Sequence, residues 1–106
     1  VGRKADSPFN QRFRRQVGAR IWALRTVKEM SGTDFGKAVG ATHGAVSKWE
    51  NGHEFPTVTA VAQMCVKYHV DFNYIFGGTF DCFKGEMAAT LLPLIAQKFA
   101  ETEGKA

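Results

Sequence analysis

Cysteine is scarce in this chain. Cys65 and Cys82 are its two, with no CxxC spacing and no repeated framework, which excludes a disulfide-stapled secreted module. Long apolar runs are missing as well. The longest, residues 87 to 96, covers ten positions and contains Pro93, well short of the roughly 20 residues that a membrane-crossing helix needs. No basic n-region followed by an apolar h-region opens the chain, so it reads as soluble and cytoplasmic, with no membrane partner. It begins with Val1 rather than Met, which leaves processing, trimming or a non-standard start open.

Several chemistries also lack their residues. There is no GxxxxGK phosphate loop, no HExxH and no GxSxG. Asp34, Glu50, Glu54 and Asp71 are each explained by a helix end, a pairing or a loop, and none forms an acid/base pair with a pocket. Cys65 and His69 stand at i, i+4, half of a zinc site. The remaining candidates His43, His53 and Cys82 fall in separated segments, and Cys65 suits a small buried position. No enzymatic activity, metal or cofactor is expected.

Acidic residues are nearly absent from the start. The first thirty positions hold eight basic residues (Arg3, Lys4, Arg12, Arg14, Arg15, Arg20, Arg25, Lys28) against Asp6 and Glu29, whereas the remainder holds six basic and eight acidic ones. The net charge of +4 is therefore a local positive field. Such a segment can be a solvated tail, an anionic-membrane contact or a nucleic-acid contact.

What remains is ordinary: 106 residues, 44% hydrophobic and 23% charged, the size and composition of one domain. Strand-like alternation is missing, and the apolar spacing is helical. Ser7-Pro8 reads as an N-cap with proline at the first helical position. Phe9, Phe13, Val17, Ile21, Leu24 and Val27 then step by three or four, giving one long helix or two, because Gly18 is a weak point. Short helices follow at 33–39, at 43–50 behind a Thr42 cap, after Thr57, and at 72–76 behind Asp71, with Gly40, Asn51-Gly52 and Gly77-Gly78 as stops. Beyond a connector, Met87, Leu91, Leu94, Ile95 and Phe99 form an apolar stripe in which Pro93 must end, begin or kink a helix.

Two short helices joined by Gly40-Ala41-Thr42 have the spacing of a helix-turn-helix. The segments "ARIWALR" (19 to 25), "FGKAVGATHGAVSKWENG" (35 to 52), "PTVTAVAQMC" (56 to 65) and "VDFNYIFGG" (70 to 78) carry something more specific. Over residues 17 to 77 the chain resembles the phage-repressor and Cro type of helix-turn-helix domain, the XRE-like family. The resemblance implies an all-α, five-helix domain at 17–78; the charge distribution and the last apolar stripe add a basic arm at 1–16 and a linker and extra helix at 79–106.

In that family the second helix of the motif enters the major groove of double-stranded DNA. By position, the resemblance implies base readout by His43, Gly44, Ser47 and Lys48, with Thr42 capping near the backbone and Asn51 placing its amide near phosphate. Lys48 can donate to guanine, while Gly44 permits close approach but reads little. A solvated lysine and an exposed first-turn histidine are the competing readings of Lys48 and His43. The resemblance also implies a structural ion pair between Arg25 and Glu50. One departure stands out: the common Gln of the preceding helix is Gly32 here, leaving Ser31, Thr33 and backbone N–H groups to hold phosphate.

Arg3, Lys4, Arg12, Arg14 and Arg15 are further candidates for the DNA backbone, against the alternative of a solvated helix face. The stripe of Met87, Leu91, Leu94, Ile95 and Phe99 either pairs two subunits or covers its own domain. The function expected is a sequence-specific transcriptional regulator, a repressor acting as a homodimer on an operator. The alternative is a protein-interaction module of the same fold that binds a protein partner, such as a toxin.

Overall fold

The computed structural model describes residues 6–103, and within them every regular element is a helix. These are α1 (Pro8–Val27), α2 (Gly32–Val39), α3 (His43–Glu50), α4 (Val58–Tyr68), the π-helical turn α5 (Asn73–Gly77) and α6 (Met87–Thr102). Arg3 and Lys4 lie outside the described residues.

Local chemistry sets the boundaries. Ser7, Ser31, Thr42 and Thr57 have extended backbones, and each side-chain oxygen accepts from the N–H three residues on, which satisfies one of the donors that a helix start leaves open. Pro8 follows Ser7 at the first turn of α1, where its missing N–H is harmless. Gly40 closes α2 at φ 75°.

α1 is one continuous helix of 20 residues. It passes through Gly18 and through the boundary expected between a basic arm and the domain at 16/17, so residues 8–16 belong to the same rod as the core positions Val17, Ile21 and Leu24. α3, α5 and α6 all pack on α1, and α2 packs on α3 and α4. The core gathers Val17, Ile21 and Leu24 with Phe35, Val39, Val46, Trp49, Val61, Met64, Tyr74, Ile75 and Leu91. Each such side chain withdrawn from water contributes ~1.5 to 3 kcal/mol before entropy is counted. Tyr74 enters with its phenol satisfied, donating to the Arg20 carbonyl at 2.7 Å.

Two elements differ from the sequence expectation. Residues 72–76 are not a plain α-turn: Gly78 N–H reaches back to the Asn73 carbonyl, closing the wider π ring, while Asp71 Oδ1 accepts from Tyr74 N–H at 2.8 Å. In a π turn successive side chains are less widely splayed than in an α-turn, and the neighbours Tyr74 and Ile75 are both fully buried. α6 runs from Met87 to Thr102 with Pro93 inside it. The helix bond that Pro93 cannot make is the one to the Ala89 carbonyl, and both residues are exposed, so water can satisfy that oxygen.

α6 also covers its own domain. Leu91 is fully buried, and Met87, Leu94 and Ile95 pack against the same core. Leu91 can therefore be offered to a second subunit only by opening the protein. Phe99, at the far end of the stripe, carries the guanidinium of Arg15 4.1 Å from its ring centroid and that of Arg12 at 5.3 Å.

Candidate nucleic-acid interface

α3 is two turns long and has two unlike faces. Val46, Trp49 and Glu50 are buried, while His43, Gly44, Ser47 and Lys48 are exposed. The buried face is held at its C-terminal end. Arg25 donates through Nε and Nη2 to the two Glu50 carboxylate oxygens at 2.7 and 2.8 Å, and its third nitrogen donates to the Met30 carbonyl at 2.9 Å. The hydrogen bond to Glu50 holds the guanidinium above its ordinary pKa, against the opposing effect of burial. Glu50 is thus a buried carboxylate with a bidentate partner, the arrangement that geometry makes strongest for this pair.

Two glycines let the backbones close in. A Cβ on Gly18 would lie 2.0 Å from the Trp49 carbonyl oxygen, and one on Gly36 would lie 2.7 Å from that of Ala41. α3 is therefore seated directly on α1, and the turn before it on α2. The exposed face is left where the anchored face puts it.

Gly32 has a use that the sequence did not reveal. A Cβ there would lie 2.7 Å from Cδ2 of His43, so the imidazole rests over the bare backbone at the start of α2. The space that a longer side chain would occupy is filled by a ring from α3. Ser31 is exposed, and its oxygen is already committed to Asp34 N–H at 3.0 Å. Thr33 is exposed. The Gly32 and Thr33 N–H groups, in the first turn, have no intrahelical acceptor, and Asp34 adds a negative charge beside them. Thr42 is likewise exposed and committed to Ala45 N–H at 3.0 Å.

Lys48 is 59% exposed and stands 3.6 Å from Glu54, itself 55% exposed. A pair this open is worth little and releases readily to a phosphate or a base edge. Asn51 is more firmly occupied: its Nδ2 donates to the Ser47 carbonyl at 2.9 Å and its Oδ1 accepts from Lys98 Nζ at 3.4 Å. The Asn51 side chain thus links the end of α3 to α6.

Two arginines in the basic segment of α1 also have internal partners. Arg14 donates to the Gly52 carbonyl at 3.0 Å and is paired with Asp6, whose carboxyl is held below its ordinary range by that hydrogen bond. Arg15 donates to Thr102 Oγ1 at 3.1 Å and to the Phe99 carbonyl at 2.9 Å. Both arginines clamp chain segments together, because a guanidinium with a carbonyl in reach is satisfied without an external anion. Arg12 remains exposed. Arg20, given no individual role by the sequence, donates to the Ile75 carbonyl at 3.1 Å, and burial lowers its pKa.

Among the described residues no group of three or more His, Cys, Asp or Glu side chains is placed to hold a metal ion. Cys65 is half-buried rather than fully enclosed, and burial pushes its thiol and that of Cys82 up. No helix among the described residues is long and apolar enough to cross a membrane. No family model, curated protein or solved structure matches the chain.

Proposed function

We propose that the chain is a Cro/repressor-like helix-turn-helix protein that binds double-stranded DNA sequence-specifically and regulates transcription as a repressor. The observation that carries this reading is the split of α3: one face locked to α1 through Trp49, Glu50 and Arg25, the other presenting His43 and Gly44 from the first turn and Ser47 and Lys48 from the second, all exposed. A helix supported in this way can enter a major groove without losing its own packing. Lys48 and His43 then meet base edges, Gly44 allows close approach, and the start of α2 faces phosphate. Affinity comes largely from counterion release and discrimination from the few side chains on α3.

A second reading, a protein-interaction module of the same fold, is favoured by one observation: Arg14 and Arg15 are spent inside the protein, and Lys48 faces Glu54. Selection of bound fragments from a random duplex pool separates the two, followed by titration of the best duplex at increasing salt. The DNA reading expects an enriched motif and a log–log salt slope of about −0.9 per phosphate neutralised. A pool with no enriched motif and binding indifferent to salt would leave only the second reading.

A further inference from the structure

Five phenylalanines that the DNA reading does not use form one continuous strip. The rings of Phe9 and Phe13 on α1 are 5.8 Å apart; Phe13 meets Phe55, between α3 and α4, at 5.2 Å and Phe76 of α5 at 6.3 Å; Phe76 stacks on Phe72 at 5.9 Å. The strip faces water: Phe9 is 74% exposed, Phe72 42% and Phe55 37%. With about 200 Å² for a free phenylalanine side chain, these three leave on the order of 300 Å² of ring uncovered. Single exposed apolar residues are ordinary; a contiguous patch of this size is comparable with the largest on a typical monomer, which is often functional, and here it is built entirely of aromatic rings.

The charges at its border indicate what covers it. Arg14 lies 5.9 Å from the Phe55 centroid and is neutralised by Asp6. Glu54, next to Phe55, is matched by Lys48. Among the described residues these border charges stand in opposite pairs, so two such borders do not repel. The groove between α1 and α6 is the opposite case. It encloses about 270 Å³ and is lined by Arg12 and Arg20 beside Leu92, Ile95 and Phe99, with no carboxylate, so two copies of that face would bring guanidiniums together. An isologous contact needs one patch that is complementary to itself. The aromatic, internally neutral strip meets that requirement.

We infer that a second copy of this chain seats on the strip of Phe9, Phe13, Phe55, Phe76 and Phe72, making this strip, and not the apolar stripe of α6, the dimer contact. The biological use of such a dimer rests on the proposed operator reading, whereas the contact itself does not. Two strips cover on the order of 600 Å² of phenylalanine, about the apolar half of an interface at the ~1,200 Å² lower limit for specific association. The dimer is accordingly weak in solution and is completed when two half-sites hold both copies close together.

The test is sedimentation of the full chain from ~5 to ~500 μM, with Phe9→Glu, Phe72→Glu and, as a control in the α1/α6 groove, Leu92→Glu. Glutamate suits position 9, in the first turn of α1, and a circular-dichroism melt checks that each variant is folded. The wild type should pass from monomer to dimer, both phenylalanine variants should weaken that association by about tenfold or more, and Leu92→Glu should stay within about twofold. A wild type that remains monomeric throughout, or a Leu92→Glu effect as large as that of Phe9→Glu, overturns the inference. Binding to a duplex carrying one half-site is measured in parallel. A folded, monomeric Phe9→Glu that binds the half-site like the wild type supports contact and operator reading together. A dimer that the phenylalanine variants dissociate, with no form of the protein binding duplex, supports the contact and removes the operator reading alone.

Discussion

The Trp49 carbonyl oxygen occupies the place where a side chain on residue 18 would begin: a Cβ added to Gly18 would lie only 2.0 Å away. α1 and α3 thus touch backbone to backbone, and glycine is at that position in mid-helix because nothing larger fits. Gly18→Ala should gain up to ~1 kcal/mol in helix propensity and lose more by forcing the helices apart, since overpacking a filled contact costs ~1 to 3 kcal/mol. A net loss of stability in urea titration is expected. A variant as stable as the wild type would mean that the two backbones are not in contact.

The ion pair beside that contact makes a second prediction. Glu50 is nearly enclosed, at 6% side-chain exposure, while Arg25 keeps 20%. Arg25→Ala should cost ~3 to 5 kcal/mol, because it strands a buried carboxylate, whereas joint replacement by Arg25→Met and Glu50→Leu should recover most of the loss. The double-mutant cycle in urea is the measurement. Additive losses would show that the two side chains do not depend on each other.

How far the residues disclosed all this varies with the kind of interaction. The helices were legible because their signals are local: Ser7-Pro8, Thr42 and Thr57 start helices through their own side chains, and apolar positions at three and four mark the buried faces. The buried half of α3 was readable in the same way from Val46 and Trp49, whereas the Arg25 and Glu50 pairing was suggested by resemblance alone. The fate of Arg14, Arg15 and Asn51 was not readable. Their acceptors, Gly52, Phe99 and Thr102, and the donor Lys98 are brought to them by tertiary packing, and no periodicity announces which arginine will find a carbonyl. Gly32 looked like a missing side chain because the ring that covers it comes from the next helix. The aromatic strip had a partial signal in the i, i+4 pairs Phe9/Phe13 and Phe72/Phe76, but only the fold sets Phe55 against Phe13 of α1.

Alkaline pH supplies a third prediction. Burial raises the pKa of Tyr74 above the ordinary 10.0, so from about that pH upward the unfolded chain releases a phenolic proton that the folded chain retains. The unfolded state then binds fewer protons, and stability falls with pH by up to ~1.4 kcal/mol per unit for this group. Below that range the stabilisation is fully present. Tyr68, also raised by burial, acts in the same direction. Tyr74→Phe should flatten the alkaline slope of the urea midpoint, even though it lowers overall stability by removing the hydrogen bond to the Arg20 carbonyl. An unchanged slope would place the alkaline sensitivity elsewhere.

The last prediction separates reading from scaffolding. Lys48 is exposed and only loosely paired, so Lys48→Ala should leave the melting temperature nearly unchanged and relax base preference at one position, at a cost of ~1 to 3 kcal/mol against the best duplex. Arg12, the exposed cation of the α1 segment, should behave as a phosphate contact: Arg12→Ala weakens all duplexes alike and reduces the salt slope by about one phosphate. Arg14 is different because its side chain is 15% exposed and its guanidinium bridges Asp6 to the Gly52 carbonyl. Arg14→Ala should therefore loosen the loop after α3 and lower stability by ~1 to 3 kcal/mol, leaving the salt slope of binding intact. Melting curves and salt titrations on the three variants check the assignment. If Arg14→Ala changes the slope and not the stability, that side chain leaves its internal partners to reach DNA, and the charged segment of α1 acts as an arm after all.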